Sequence, residues 1–106
     1  MPFNVKTKNA FEMTARPAAA ELTSHQVGRK AFIAVYPPSP VGSGGPWRVR
    51  RFEIPESLTD KYPAEEDLIG STLIALNNLE DVEQLLTSWE VDSSTLDAPW
   101  KCDYPL

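Results

Sequence analysis

The sequence predicts an α+β domain of about three antiparallel strands, with two C-terminal helices packed on one face of the sheet. Two observations lead to this prediction. In the first 54 residues, apolar side chains recur at every second position or occupy both faces of a segment, as in strands. After residue 63 they recur at the three- and four-residue spacing of helices. Because 106 residues can build one hydrophobic core, we expect residues 1–106 to form a single domain.

The N-terminal segment 3–15 predicts a half-buried strand, because its odd positions are mostly apolar and its even positions mostly polar. Two short strands hinged near Asn9 are an alternative. Between Pro17 and Gly28 an alanine run predicts a short helix, since proline is favoured at the first position of a helix and glycine just after its end. Leu22 is the only large apolar residue of this helix, so we expect it to be weakly anchored.

The next two strands are predicted at 30–36 and 46–54. The first is apolar on both faces and rich in residues that favour strands, which is typical of a central strand. In the second, apolar side chains change face between Val49 and Phe52. A β-bulge near the intervening pair of arginines would return them to one face, so we predict a bulge there.

Two helices are predicted in the C-terminal half. Pro63 followed by three acidic residues is typical of a first helical turn, although 64–77 could equally be a strand that leads into the second helix. Asn78 is a favourable N-cap for that second helix, predicted at 79–90. Its inward side comprises Leu79, Val82, Leu85, Leu86 and Trp89. The irregular tail 92–106 is expected to dock on the domain.

The residues of this chain predict no catalytic or metal site. His25 and Cys102 are the only histidine and the only cysteine, and neither has a carboxylate or serine at a spacing that indicates a nucleophile or a zinc site. We therefore expect no enzymatic activity, no metal and no cofactor. The longest apolar run, 31–36, has six residues and is too short to span a bilayer. Because no secretory signal is recognisable either, we expect a cytoplasmic protein without a membrane partner.

Charge is distributed unevenly along the chain. Residues 1–52 carry a formal charge of +6 and residues 53–106 one of −11, which gives the net charge of −5. An acidic C-terminal surface with aromatic anchors suits a basic protein partner, and we expect a monomer or a weak dimer. The candidate partner-binding residues are Glu80, Asp81, Glu83, Glu90, Asp97, Trp100, Asp103 and Tyr104.

The closing stretch DAPWKCDYPL, residues 97–106, raises a question about its two aromatic rings. Trp100 and Tyr104 together carry too much apolar surface for a fully solvated end, since each aromatic side chain buries about 150–250 Å². We expect one ring to pack against the domain near the start of helix 79–90. The other would stay partly exposed beside Asp97 and Asp103 for the partner.

A nucleic-acid-binding module is the alternative function. Three arginines accompany an aromatic residue in the third predicted strand, a combination that suits single-stranded nucleic acid through phosphate contacts and base stacking. The same arginines could simply protect an edge strand from pairing, and the net negative charge favours that interpretation. The residues concerned are Trp47, Arg48, Arg50 and Arg51. A structural or regulatory subunit without separable activity is a third possibility.

The small size, acidity, absence of a catalytic set and acidic aromatic segment LDAPWKCDY at 96–104 resemble bacterial immunity proteins, including those of contact-dependent growth inhibition and other polymorphic toxin systems. The resemblance is one of class and involves no motif, so no binding residue is transferred from a family pattern. It implies a non-enzymatic cytoplasmic inhibitor that neutralises a basic, nuclease-like toxin domain.

Overall fold

A computed structural model of the protein describes residues 3–22, 27–38, 46–58 and 68–99, together with Cys102 and Tyr104. One antiparallel sheet has the strand order β1-β2-β3-β4. The strands are β1 (Ala18–Leu22), β2 (Arg29–Tyr36), β3 (Trp47–Pro55) and β4 (Ile69–Leu76), and the helices are α1 (Val5–Thr14) and α2 (Leu79–Ser88), with short 3-10 turns at Glu56–Leu58 and Ser93–Thr95. The predicted α+β class is confirmed, with four strands in place of about three and with one of the two helices before the sheet.

The prediction of a strand over 3–15 is wrong, because most of this segment forms α1. Its buried residues are Phe3, Thr7 and Phe11, which recur every four positions along one side of the helix. The side chain of Met13, which a half-buried strand would place inward, is 81% exposed. Phe11 packs edge-to-face on Phe3, so α1 covers one side of the core with aromatic contacts.

The start of α1 is fixed by its N-cap and by the C-terminal part of the chain. Asn4 Oδ1 accepts a hydrogen bond from the Thr7 backbone N–H at 2.8 Å, which satisfies one of the unpaired donors of the first turn. The Asn4 side-chain amide also donates to the carbonyls of Ser94 and Leu96, both at 3.3 Å. The Thr7 hydroxyl donates to the same Leu96 carbonyl at 2.8 Å. These bonds join the two ends of the described chain.

The prediction of a helix between Pro17 and Gly28 is also wrong for its described part, because residues 18–22 form β1; residues 23–26 lie outside the described residues. β1 pairs with β2 along one side, and on the other Ala19 exchanges two backbone hydrogen bonds with Asp97, at 2.8 and 3.1 Å. The ladder to β2 and the bridge at Ala19 thus hold these alanines in a strand, so tertiary pairing overrides the high helix propensity of alanine.

The strands predicted at 30–36 and 46–54 are confirmed as β2 and β3. Their antiparallel register is continuous, from Arg29 opposite Pro55 to Tyr36 opposite Arg48. The change of face within β3 is therefore real. Trp47 and Val49 belong to one hydrophobic cluster, and Phe52 and Ile54 belong to a second cluster on the opposite face of the sheet.

A bulge does occur near the predicted place, but it does not return the apolar residues of β3 to one face. It lies between β3 and β4, where Arg51 is opposite Thr72 and Glu53 is opposite Ile69. The extra residue is thus on β4, in which Gly70 has a φ of 62°. Glycine adopts this left-handed conformation without a steric penalty, which explains its position at the bulge.

Segment 64–77 is not a helix where it is described, because residues 69–76 form β4 and residues 64–67 lie outside the described part. This strand leads directly into α2, as in the alternative considered from the sequence. The helix predicted at 79–90 is confirmed at 79–88. The Asn78 side chain accepts a hydrogen bond from the Asp81 backbone N–H at 2.9 Å, as an N-cap does.

The two helices lie on the same face of the sheet. Val82 and Leu86 of α2 are fully buried in the first cluster, together with Phe11 of α1 and Val49 of β3. The remaining predicted inward residues pack against this cluster while partly exposed: Leu79, Leu85 and Trp89. In the described part of the chain, no helix has the length and apolar content needed to cross a membrane.

Candidate protein-binding surface

The outer side of α2 forms a groove of about 500 Å³. The residues that line it recur every three to four positions and therefore lie on one side of the helix: Glu80, Glu83, Gln84, Thr87 and Ser88. The opposite side of the same helix is buried in the core through Val82 and Leu86. Because the buried side fixes the orientation of the helix, the groove is presented on a rigid element.

Hydrogen-bond acceptors dominate this groove. Neither Glu80 nor Glu83 has a side-chain hydrogen bond or an ion pair with any described residue, whereas Glu21 on β1 has its carboxylate 3.7 Å from Lys30 Nζ. The Thr87 hydroxyl donates to the Glu83 carbonyl at 2.9 Å, and the Ser88 hydroxyl donates to the Leu85 carbonyl at 2.7 Å. Both hydroxyl protons are therefore used within the helix, and the groove offers mainly oxygen lone pairs to a ligand.

The other predicted partner-binding residues lie at different places. Asp81 is partly buried beside the N-cap, and Glu90 is exposed just after the helix with a φ of 60°. Asp97 takes part in the bridge to β1, and its Oδ1 accepts the Ala98 backbone N–H at 2.7 Å. Trp100 and Asp103 lie outside the described residues.

Tyr104 packs on the opposite face of the sheet from α2, so it is not the ring expected near the start of that helix; Trp100, the other ring of that prediction, lies outside the described residues. Its ring centroid is 6.0 Å from that of Phe32 and 5.7 Å from that of Phe52. The hydroxyl oxygens of Tyr104 and Tyr36 are 2.6 Å apart and share a hydrogen bond. Burial, reinforced by this bond, raises the pKa of the Tyr104 phenol well above its ordinary value of 10.0. Tyr104 is thus part of the second hydrophobic cluster and cannot form one continuous surface with the α2 groove.

One acidic residue after α2, Asp92, is hydrogen-bonded to its neighbour Ser94. The Asp92 carboxylate accepts hydrogen bonds from the Ser94 hydroxyl at 2.7 Å and from the Ser94 backbone N–H at 3.0 Å. These bonds lower the pKa of Asp92, because they stabilise its charged form. Asp92 therefore caps the 3-10 turn at 93–95, which is a structural role.

The residues of the nucleic-acid alternative are separated by the sheet. Arg48 is exposed and Arg50 is partly exposed on the face of Phe52, whereas Trp47 is only 8% exposed on the other face. The Arg51 guanidinium lies 5.4 Å from the centroid of the Trp89 ring, within the range of a cation–π interaction. A stacking platform of Trp47 with all three arginines is therefore not assembled.

A cavity of about 330 Å³, which the sequence did not indicate, lies where α1, the start of β1 and segment 97–99 meet. Thr7 and Ala18 are buried at this cavity, while Lys6 and Arg16 are exposed beside it. Its lining comes from residues 6–18 and from residues 97–99, two parts of the chain that are far apart in sequence. No local pattern could have predicted it, because the contacts that bring them together involve Leu96 and Asp97.

Among the described residues, no three His, Cys, Asp or Glu side chains are grouped closely enough to bind a metal ion. His25 lies outside that part of the chain. Cys102 is a free, partly buried cysteine whose thiol is 3.5 Å from the Pro99 carbonyl oxygen. No protein-family model, curated protein or solved structure matches this chain significantly.

Proposed function

We propose that this protein is a non-enzymatic inhibitor that binds a basic protein partner through the outer groove of α2, and that it acts as an immunity protein against a nuclease-like toxin domain. One observation supports this most directly. Glu80 and Glu83 lie in an open groove without a cation among the described residues to neutralise them. A partner that supplies Lys or Arg side chains would provide that missing charge.

The helix that carries these carboxylates is well suited to binding. α2 is capped by Asn78 at its start, and its inner side is fully buried at Val82 and Leu86. Little conformational entropy is then lost when a partner docks, apart from that of the glutamate side chains themselves. No ion pair of Glu80 or Glu83 with a described residue has to be broken first. Complementary charge also accelerates the encounter of the two proteins.

A nuclease is a fitting target for such a groove. Proteins that bind nucleic acid use Lys and Arg to contact phosphate groups, so their binding surface is cationic. A row of carboxylates can occupy the same cationic surface and compete with the phosphates. Inhibition would then need no chemical step, which agrees with the expectation that the chain is not an enzyme.

The test is a binding measurement with a defined partner, the C-terminal domain of the toxin-like protein encoded next to this chain's reading frame. Glu83→Lys should lower the association rate about tenfold and weaken its salt dependence, because rim charges act mainly on encounter. Glu12→Lys, an exposed glutamate on α1, is the matched control with the same change in net charge, and it should stay within about twofold of the wild type.

Co-expression provides the functional measurement. The wild type and Glu12→Lys should restore growth of cells that express the toxin domain, whereas the double variant Glu80→Lys with Glu83→Lys should not. Equal protection by all three proteins would contradict the proposed role of the α2 groove. If the adjacent reading frame encodes no toxic protein, the immunity function itself is refuted.

A further inference from the structure

The two edge strands of the sheet differ in how their outer sides are covered. β1 exchanges backbone hydrogen bonds with Asp97 beyond the sheet. β4, at the other edge, pairs with β3 on its inner side, and the described parts of the chain place no strand on its outer side. Five of its eight residues are exposed, at positions 70–73 and 75. About half of the backbone N–H and C=O groups of such a strand point outward.

The sequence of this edge lacks the usual protection against pairing. Residues 68–79 contain no charged side chain and no proline, although natural edge strands commonly use lysine or proline to prevent association. The bulge at Gly70 is the one protective feature, and it twists only the first part of the strand. Leu73, in the middle, is 56% exposed, so an apolar side chain stands at the centre of an edge that no described strand covers.

The pattern of side chains fits a second copy of the same strand. In an antiparallel pair with Leu73 opposite Leu73 of a second copy, Thr72 would face Ile74 and Ser71 would face Ala75. Every pair is uncharged, and the central ones combine β-branched or large apolar residues, which are the most favourable cross-strand neighbours. The residues that precede Leu73 in one copy can therefore pair with those that follow Leu73 in the other copy.

Charge favours a second copy over the basic partner at this edge. A lysine-rich strand would find no carboxylate along residues 68–79, whereas the α2 groove offers Glu80 and Glu83. Two copies, each with a net charge of −5, repel one another over most of their surface. The uncharged edge is a place where they can approach without opposing like charges.

We propose that two copies of this chain associate through β4, antiparallel about a two-fold axis at Leu73, and so form a continuous eight-stranded sheet. Eight residues of strand span only about 27 Å, and a contact of this size falls into the weak, reversible class of interfaces. Dimers should therefore form at roughly 10–500 μM protein. This inference does not depend on the proposed function, because it uses a different surface.

Sedimentation velocity of the full chain across that concentration range is the first test. The wild type should shift from monomer towards dimer, and Leu73→Lys should raise the dissociation constant at least tenfold, because it places two like charges opposite each other at the axis. Met13→Lys is the matched control, since Met13 is an exposed apolar residue of α1, and it should dimerise as the wild type does. Circular dichroism of each variant separates lost association from lost folding.

Cross-linking tests the register without weakening the strand. In a Cys102→Ser background, Leu73→Cys should form a disulfide-linked dimer with oxidised glutathione as the oxidant. Directly opposite residues in an antiparallel pair have Cα atoms about 4.5–5.5 Å apart, within disulfide range. Ser71→Cys should not cross-link, because its counterpart lies about 13 Å away along the strand.

Three results would overturn the proposal. The wild type could remain monomeric at the highest concentration. Leu73→Lys could dimerise normally, which would assign association to another surface. Amide protection in β4 could appear only when a different protein is bound, which would assign the edge to a heterologous strand.

Discussion

Removing the ring of Tyr104 should destabilise the protein measurably, although this residue belongs to none of the described helices or strands. The ring contacts Phe32 and Phe52, which are 0% and 1% exposed, and it covers them from one side of the sheet. Tyr104→Ala removes both ring contacts and uncovers two buried phenylalanines. Tyr104→Phe keeps the ring and removes only the hydroxyl that is bonded to Tyr36.

The expected magnitudes follow from these contacts. Truncation of a fully buried aromatic residue to alanine costs about 3–5 kcal/mol, and Tyr104 is only partly buried. We therefore expect Tyr104→Ala to lower the free energy of unfolding by about 2–3 kcal/mol. Tyr104→Phe should cost about 0.5–1.5 kcal/mol, the net contribution of one hydrogen bond. For a chain of this length the alanine variant would lower Tm by roughly 8–20 °C.

Urea denaturation followed by tryptophan fluorescence measures both variants under the same conditions. The midpoint should decrease in the order wild type, Tyr104→Phe, Tyr104→Ala, with an unchanged slope. Glu12→Ala, on the exposed side of α1, serves as the control and should stay within about 0.5 kcal/mol. If both tyrosine variants unfold with the wild type, the packing of Tyr104 on the sheet is refuted.

Three further predictions concern the packing of Trp89, the hydrogen bonds of Asn4 and the dependence of stability on alkaline pH. Trp89→Ala should cost about 2–3 kcal/mol, below the range for a fully buried aromatic residue, because Trp89 is partly exposed; a urea midpoint equal to that of the wild type would contradict this. Asn4→Ala should cost about 1–2 kcal/mol in the same assay, since a cap and two long-range bonds are lost, and a loss below about 0.5 kcal/mol would show that these bonds contribute little. The pKa of Tyr104 in the folded protein lies above its unfolded value of 10.0, so the stabilisation by its neutral phenol is complete below pH 10.0 and decreases as the pH rises above that value. Tyr104→Phe should not show this alkaline loss of stability. If the free energy of unfolding of both proteins changes equally with pH above 10.0, the prediction is refuted.

One prediction addresses the alternative function. A fluorescent single-stranded oligonucleotide should not bind more tightly than about 10 μM at physiological salt, because Trp47 is buried away from Arg48 and Arg50. Binding that weakens steeply with salt and disappears in Arg48→Ala with Arg50→Ala would favour the nucleic-acid module instead.

The sequence predicted α2 and β2 correctly, because the local pattern of each agrees with its position in the fold. α2 has a capping asparagine and apolar residues at a spacing that only a helix places on one side, so its buried and exposed sides followed directly. The polar positions that alternate with these apolar residues line the outer groove of α2, so its location could be predicted as well. β2 is buried on both faces between two strands, and its continuous apolar run indicated such a position.

The N-terminal elements could not be assigned because their local signals were ambiguous or were overridden. Phe3 and Phe11 are eight positions apart, a separation that satisfies both the strand period and about two helical turns. Burial of Thr7 fits both periods as well, whereas the exposure of Val5 and Met13, at 74% and 81%, fits only the helix and could not be read from their apolar character. The alanine run forms a strand because it pairs with β2 along its length and with Asp97 at Ala19, and no local pattern indicates either pairing.

The position of Tyr104 was missed for a related reason. The change of face within β3 predicts a bulge only if one side of the sheet is apolar, whereas both sides carry apolar residues. A second covered face requires a second covering element, and Tyr104 belongs to that element. The alternation of residues 47–54 therefore contained a signal for it, whereas the path of the chain to that face depends on contacts far apart in sequence.

The bonds between α1 and residues 94–96 have a consequence for how the protein folds during synthesis. The Thr7 hydroxyl and the Leu96 carbonyl that accepts its hydrogen bond are 89 residues apart. As the ribosome extends the chain, α1 emerges well before Leu96, and until then its apolar side, with Phe3 and Phe11, has no partner from residues 94–96. Closure of the core must wait until Leu96 has been released, so these contacts form only after all of residues 7–96 have been made. During that interval the apolar side of α1 is available for contact with chaperones or with other chains.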